Sequence, residues 1–131
     1  MRTRPDGAAE TGTAVVEFAL VLPLVLVMAL ALVQVGLLAR DRLLVEAAAR
    51  AGARVAAVAD DPDGIRSAAL DAGPGLDPAV FTVDVARAGV RGDPVTVAIG
   101  YEEPIRVPLV GWLFGMSVHL AASATDRQEF G

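Results

Sequence analysis

One long apolar run constrains this chain more than any other feature of its 131 residues. The run extends from Phe18 to Ala39, and Gln34 is the only strongly polar side chain among its 22 residues. Because an α-helix rises about 1.5 Å per residue, a helix of this length measures roughly 33 Å. The hydrocarbon core of a bilayer is about 30 Å thick, so the sequence predicts one membrane-spanning helix.

A cleaved secretory signal peptide is the first alternative, because Ala29-Leu30-Ala31 offers small residues near a possible cleavage site. The apolar core of such a peptide is about 7 to 15 residues long. The run in this chain continues for eight residues beyond Ala31 and is preceded directly by an acid, Glu17. We therefore favour a retained span over simple secretion.

The helix is expected to continue past the apolar run, since residues 43–59 are rich in alanine, the best helix former. Its apolar residues recur at spacings of three and four and predict one buried stripe, made of Leu44, Ala48, Ala51, Val55 and Val58. Glu46, Arg50 and Arg54 fall on the other side of the helix, where Glu and Arg four residues apart attract each other. Residues 13–59 are thus predicted to form a transmembrane helix that becomes amphipathic.

Residues 60–131 are predicted to form a small α+β domain. A short helix is expected over residues 65–72, with Asp63 or Gly64 as its N-cap. Apolar residues then alternate with polar ones over three stretches, which predicts an antiparallel sheet of about three strands. These strands are expected near residues 81–85, 95–101 and 118–124, with a hairpin connection over residues 88–93.

An apolar segment, residues 105–116, separates the second and third predicted strands. At 12 residues it is too short to span a membrane. It either folds over the sheet or contacts the membrane surface or a neighbouring subunit, where Trp112 would be favoured. The sequence leaves both possibilities open.

Composition argues against several classes of function. The chain has no cysteine, so it can form neither disulfides nor thiolate metal sites, and its net charge of -5 with no basic block argues against nucleic acid. Residues 60–63 lack the spacing of a calcium loop. Glu102 and Glu103 are expected on opposite faces of a strand, and His119 is alone. We therefore predict no catalytic, metal or cofactor site, no small-molecule substrate and no enzyme, although an enzyme on a membrane tether remains a disfavoured rival.

Glu17 is the ionisable side chain at the edge of the span, five residues after Gly12. A carboxylate at the edge of hydrocarbon is costly and usually has a partner. If the chain is cleaved after Gly12, Thr13 becomes a new ammonium terminus, and the Glu17 carboxylate of one helix could neutralise the terminus of a neighbour. Such a pair would set the stagger between helices. In the alternative, Glu17 lies ionised among the lipid headgroups.

Two stretches of the chain resemble the TadE-like family, pseudopilins of the tight-adherence (Flp-type) branch of type IV pili. The first is Gly12 to Pro23, with the sequence GTAVVEFALVLP, and the second is Glu46 to Arg54, with the sequence EAAARAGAR. The likeness covers about residues 12–60. It implies a precursor that a prepilin peptidase cleaves after Gly12, with residues 1–12 as a cytoplasmic leader and residues 60–131 outside the cytoplasm.

The resemblance also implies which residues act and with which partners. The processing residues are Gly12, Thr13 and Glu17, and the assembly residues are Glu17, Phe18 and Pro23. Phe18 stands where the major Flp pilins usually carry tyrosine, and those pilins have almost no domain after the helix, so an accessory role in pilus assembly is favoured. The implied partners are the membrane, the prepilin peptidase, other pilins or pseudopilins and pilus assembly proteins.

The distribution of arginines predicts the opposite orientation. Positive residues favour the cytoplasmic side of a span, and four arginines follow the apolar run within residues 40–54, against Arg2 and Arg4 before it. We give the processing motif more weight, because an acid at this distance from Gly12 is otherwise hard to explain. The remaining alternative is an uncleaved single-pass membrane protein with an extracytoplasmic binding domain.

Overall fold

The structure, a computed structural model, describes residues 7–106, 111 and 115–130, with the backbone alone for residues 7–11. In chain order the elements are helix α1 (Gly7–Val58), helix α2 (Pro62–Ala72), a 3-10 turn (Pro78–Val80) and strands β1 (Phe81–Arg87), β2 (Pro94–Pro104) and β3 (Ser117–Arg127). A long apolar helix, a short helix and a three-stranded antiparallel sheet are the elements that the sequence predicted, so the α+β class is confirmed.

Helix α1 runs for 52 residues and continues through Pro23. It begins at Gly7, so the predicted start of the helix at residue 13 is six residues too late. The physical reason is that adding a residue to an existing helix costs little once the helix is nucleated, and Ala8, Ala9 and Glu10 are good helix formers. From residue 12 to residue 33 no side chain is buried, whereas Gln34 is 1% exposed. The helix therefore has a projecting half, up to residue 33, and a packed half, residues 34–58.

The sheet has the order β1-β2-β3, with both neighbouring pairs antiparallel. Phe81 pairs with Tyr101 at one end of the first ladder, and Arg87 pairs with Val95 at the other. The connection between β1 and β2 contains Gly89 and Gly92, both with positive φ, a conformation that glycine adopts without steric cost. The strands and the hairpin expected from the alternating pattern are confirmed.

The hydrophobic core lies where α1 crosses β2 and β3 and where α2 packs against α1. The central strand contributes its alternate residues, all at most 1% exposed: Val95, Val97, Ile99 and Tyr101. Helix α1 contributes mostly small residues: Val45, Ala48, Ala49, Ala53, Ala56 and Ala57. Alanines without long side chains let the helix and the sheet approach closely.

The apolar stripe predicted on α1 is correct only in part. Ala48 is fully buried, but Leu44, Ala51 and Val55 are half-buried and Val58 is 56% exposed. The buried face is wider than one stripe because the sheet and α2 contact the helix from two sides. The centre of the buried face therefore lies at the alanines, between the sheet and α2.

Helix α2 begins after Asp61, which is its N-cap, whereas the sequence suggested Asp63 or Gly64. Proline is favoured at the first helical position, since its fixed φ suits the helix and its missing N–H is not needed there. Pro62 therefore starts the helix earlier than the apolar pattern indicated.

The far end of α1 is tied to the sheet by hydrogen bonds to its last carbonyl groups. One Arg87 guanidinium nitrogen, Nη2, donates to the carbonyl oxygens of Ala56 at 3.2 Å and Ala59 at 2.9 Å. The backbone N–H of Glu129 donates to the Ala57 carbonyl at 2.7 Å. The start of β2, at Pro94, thus lies near the C-terminal end of α1. Strand β2 runs from there back toward the projecting half of the helix.

Most of the apolar segment 105–116 lies outside the described residues. At its two ends, the N–H of Ile105 donates to the carbonyl oxygen of Met116 at 3.1 Å. Both hypotheses for this segment remain predictions.

Candidate functional sites on the long helix

The residues predicted to act in processing and assembly all lie on the projecting half of α1. Gly12, Thr13, Glu17, Phe18 and Pro23 are exposed, and none of them belongs to the core. A Cβ atom added at Gly12 would meet no atom within 4 Å, and Phe18 is 66% exposed. The structure therefore brings these residues together on one helix and presents them to whatever surrounds it.

Helix geometry places Glu17 one turn after Thr13, on the same face. Side chains on a helix point toward its N-terminus, so the Glu17 carboxylate points toward the end that cleavage after Gly12 would create. A negative charge in the first turn is also stabilised by the helix dipole. After such a cleavage, Glu17 could pair with the ammonium group of its own chain or with that of a neighbour.

The surface of the projecting half is almost entirely apolar. An 18-residue window of this helix has a mean hydropathy of 2.7, and none of the window is buried within the chain. Leaving a large aliphatic side chain in water instead of burying it costs about 1.5–3 kcal/mol. One long apolar helix of this kind fits a single-pass membrane protein.

A second cluster, which the sequence analysis missed, lies where α1 leaves its apolar run. Asp41 on α1 is 2% exposed and Glu103 on β2 is fully buried, and their carboxyl groups interact. Each of the two carboxylates forms an ion pair with an arginine that is more exposed than the carboxylate itself. Asp41 Oδ1 lies 3.0 Å from Arg40 Nη1, and Glu103 Oε1 lies 3.2 Å from Arg106 Nε. We call Asp41 and Glu103 the acidic junction.

Burial raises the pKa of the Glu103 carboxyl above its usual range, and the neighbouring Asp41 carboxyl raises this pKa further. The Arg106 guanidinium and the Tyr101 hydroxyl act in the opposite direction. Burial also raises the pKa of Tyr101, whose hydroxyl oxygen accepts a hydrogen bond from the Asp77 N–H at 3.3 Å. Two neighbouring carboxyl groups disfavour the state in which both are charged. Loss of the proton from Glu103 is therefore disfavoured where α1 meets the sheet.

One signal in the sequence could have identified Glu103, one of the two residues of the acidic junction. The alternation that directs Val97, Ile99 and Tyr101 into the core also directs Glu103 inward. The prediction that Glu102 and Glu103 lie on opposite faces is confirmed, since Glu102 is exposed. Nothing in the local pattern pointed to Asp41 as the partner of Glu103, because the two residues are far apart in the chain.

The other polar residues considered in the sequence lie at the surface. His119 is exposed on the outer face of the sheet, with Nδ1 2.9 Å from Glu102 Oε1. Residues 60–63 are exposed at the turn after α1, where Asp60 forms an ion pair with Arg87 at 3.3 Å. Within the described part of the chain, no three His, Cys, Asp or Glu residues are grouped so that they could hold a metal ion.

Residues 12–54 match the family model described as TadE-like protein. The match covers the predicted processing motif, the apolar run and the alanine-rich segment, and it confirms the resemblance seen in the sequence. Neither a curated protein nor a solved structure matches the chain. The matched part, 43 of the 131 residues, contains the N-terminal helix of membrane type, and the match suggests an association with a Tad pilus.

Proposed function

We propose that the protein is a minor pilin-like subunit, a pseudopilin, that assists the assembly of a Tad (Flp-type) pilus. The observation that carries this proposal is the projecting half of α1, which holds the Gly12–Glu17 motif and leaves its apolar surface uncovered by the rest of the chain. A helix of this kind can pass from the membrane into contact with other helices without any change in the domain behind it. The packed half of α1, α2 and the sheet then form the part that is exposed outside the membrane.

Cleavage after Gly12 by a prepilin peptidase is the first step of the proposed function. It would remove the first 12 of the 131 residues and leave Thr13 as the new N-terminus. Gly12 has open space on its side of the helix, so the peptidase can reach the backbone there. Glycine inside a helix is about 1 kcal/mol less favourable than alanine, which lowers the cost of unwinding the helix at the scissile bond.

The processing step is tested by intact mass and N-terminal sequencing of the protein from membranes that contain the peptidase. We expect wild type to begin at Thr13 and Gly12→Leu to remain as the precursor. Gly36→Leu is the matched control, because Gly36 lies on the same helix with no atom near its Cβ position, and this variant should be cleaved normally. A wild-type protein that begins at Met1 would instead support the uncleaved single-pass alternative.

The assembly step is proposed to depend on Glu17, with Phe18 and Pro23 at the contact between helices. Glu17→Gln keeps the size of the side chain and removes the charge that would pair with the Thr13 ammonium of a neighbour. Removing one member of a buried ion pair typically costs about 3–5 kcal/mol, which is large compared with the contact energy of two membrane helices.

Co-purification with pilus subunits, scored only on cleaved protein, measures this step. Cleaved Glu17→Gln should lose the association, and Glu10→Gln should keep it, because Glu10 lies in the leader that cleavage removes. Association of cleaved Glu17→Gln at the wild-type level would leave Glu17 as a processing signal alone.

A further inference from the structure

A groove with a volume of about 290 Å³ lies between α1 and the outer edge of β3. Arg42, Glu46 and Arg50 line it from the helix, and residues 121–123 line it from the strand. Glu46 is shared between the two arginines, with Oε1 3.4 Å from Arg42 Nε and Oε2 3.9 Å from Arg50 Nη1. Two guanidinium groups therefore face one carboxylate, and the groove is positive on a chain whose net charge is -5.

The opposite flank of the domain is acidic. Asp63, Ser67 and Asp71 are exposed at four-residue spacing on the outer face of α2. The inner face of the same helix carries Ile65 and Ala69, which pack at Gly52 of α1. Among the described residues, no basic nitrogen lies within 4 Å of a carboxylate oxygen of Asp63 or Asp71.

The arginines on the acidic flank do not neutralise it, because they are directed inward. The Arg66 guanidinium donates to the carbonyl oxygens of Phe81 and Pro78, both at 2.8 Å. The Arg87 guanidinium donates to carbonyl oxygens at the end of α1 and pairs with Asp60. The carboxylates of Asp63 and Asp71 therefore remain available to a partner.

The pair Arg42 and Arg50 and the pair Asp63 and Asp71 match in spacing and lie at overlapping levels along α1. Arg42 and Arg50 are eight residues apart on one helix, and Asp63 and Asp71 are eight residues apart on another. Eight residues of helix correspond to about 12 Å. Helix α2 runs back along α1, with the Gly73 Cβ position 3.6 Å from the Leu44 carbonyl oxygen, so the levels of the two pairs overlap.

We propose that copies of this chain associate side by side in the membrane, with Asp63 and Asp71 of one copy docked at Arg42 and Arg50 of the next. All copies share one orientation in the membrane, so this contact can form without turning any copy over. Contact of one groove with another groove would oppose arginines, and contact of one α2 with another α2 would oppose aspartates. The contact is therefore head to tail, which generates a ring or an open row instead of a two-fold dimer.

The association depends on confinement to the membrane. Exposed ion pairs are individually weak and are screened by salt. Anchoring both partners in one membrane raises their effective concentration, so weak contacts become sufficient. The proposal goes beyond pilus assembly and needs neither the peptidase nor a pilus, so it can fail while the proposed function stands.

Cysteine crosslinking of the full chain in membranes tests the contact, since the natural sequence has no cysteine. Ser67→Cys marks the outer face of α2, and Ser123→Cys marks the groove. With a short bismaleimide, the double variant should give a ladder of dimers, trimers and larger species. A mixture of the two single variants should stop at the dimer. The background from random collision is set by pairing Ser123→Cys with Val90→Cys in the exposed hairpin.

Charge reversal then tests whether the proposed pairs hold the copies together. The double change Asp63→Arg/Asp71→Arg on the Ser67→Cys chain should reduce crosslinking to background, and so should Arg42→Asp/Arg50→Asp on the Ser123→Cys chain. Mixing the two reversed chains should restore the dimer. The milder Asp63→Asn/Asp71→Asn change, which should also lower the yield, guards against misfolding of the reversed chains.

Several outcomes would overturn the proposal. They are a wild-type yield at the Val90→Cys background, a yield that does not change on reversal or neutralisation of the charges, and crosslinking of a single variant to itself above background. The last of these would show a two-fold contact.

Discussion

Replacing Gly52 tests how closely α1 approaches the sheet and α2. A Cβ atom at this position would lie 3.2 Å from Val97 Cγ1, 3.6 Å from Ile65 Cγ2 and 3.7 Å from Ala69 Cβ. Val97 is fully buried, so its methyl group has little room to move away. Glycine in the middle of a helix is disfavoured by about 0.5–1 kcal/mol relative to alanine, and this close approach is the physical reason for accepting that cost.

The two effects compete, and their sizes decide the outcome for each substitution. Gly52→Ala gains about 0.5–1 kcal/mol of helix propensity but forces one short contact, so we expect a change in unfolding free energy of less than about 1 kcal/mol. Gly52→Leu adds three further carbon atoms to the same enclosed space. Overpacking of this kind costs about 1–3 kcal/mol, which exceeds the gain in propensity. A net loss of about 1–2 kcal/mol corresponds to a fall in Tm of about 5–15 °C for a domain of roughly 100 residues.

Thermal unfolding in detergent measures the effect, followed by the near-ultraviolet circular dichroism of Tyr101. This residue is the only tyrosine and is fully buried in the domain, and the only tryptophan, Trp112, also follows the span in the sequence. The near-ultraviolet signal of these two residues therefore reports the part of the chain after the span. Ala47→Leu is the matched control, since it makes the same addition to α1 at a half-buried position, and it should shift the Tm by only a few degrees. A Tm for Gly52→Leu that equals that of wild type would refute the close approach of α1, β2 and α2 at this position.

Two further predictions concern the acidic junction and the orientation. Because the pKa of Glu103 is raised above its ordinary value of 4.5, the stability linked to this group is present at low pH and is lost as the pH rises through the raised pKa. Glu103→Gln should therefore gain Tm relative to wild type as the pH rises above 4.5, whereas the exposed control Glu102→Gln should not, and parallel pH profiles for all three proteins would contradict this. For the orientation, Val90→Cys should react with a membrane-impermeant thiol reagent in intact cells, since Val90 is 62% exposed in the hairpin. Val90 is a better probe than Gly92 in the same hairpin, because the positive φ of Gly92 makes a cysteine strained there. Reaction only after lysis would favour the orientation that the arginine distribution predicts.

Local patterns predicted most of the secondary structure. The hydropathy of the run from Phe18 to Ala39 indicated a span, and the alternation of residues 81–85 and 95–101 indicated two strands. These signals are local because helix and strand periodicities depend on neighbours within a few positions of the chain. The start of α1 at Gly7 and the N-cap of α2 at Asp61 were both predicted at later residues. The ends of helices are hard to predict because they depend on the balance of small capping and propagation terms.

The candidate sites differ in the same way, since one is local in the sequence and the others depend on tertiary contacts. The Gly12–Glu17 motif lies on one continuous helix, so the sequence alone brought its residues together and the structure added their exposure. The acidic junction joins Asp41 to Glu103, and the groove joins Arg42 and Arg50 to β3. Neither can be derived from spacing, because each depends on how α1 lies across a sheet formed much later in the chain.

What the sequence by itself determined is the membrane-type helix, the order of the strands along the chain and the motif at the start of the helix. What only the tertiary structure decided is where the helix stops projecting and becomes buried, at Gln34, and which of its faces is buried. Alanine is small enough to lie at the surface or in the core, so the alanine-rich half of α1 carries a weak apolar pattern. The sheet on one side and α2 on the other select the buried face, burying Ala56 and Ala57 and leaving Val58 exposed.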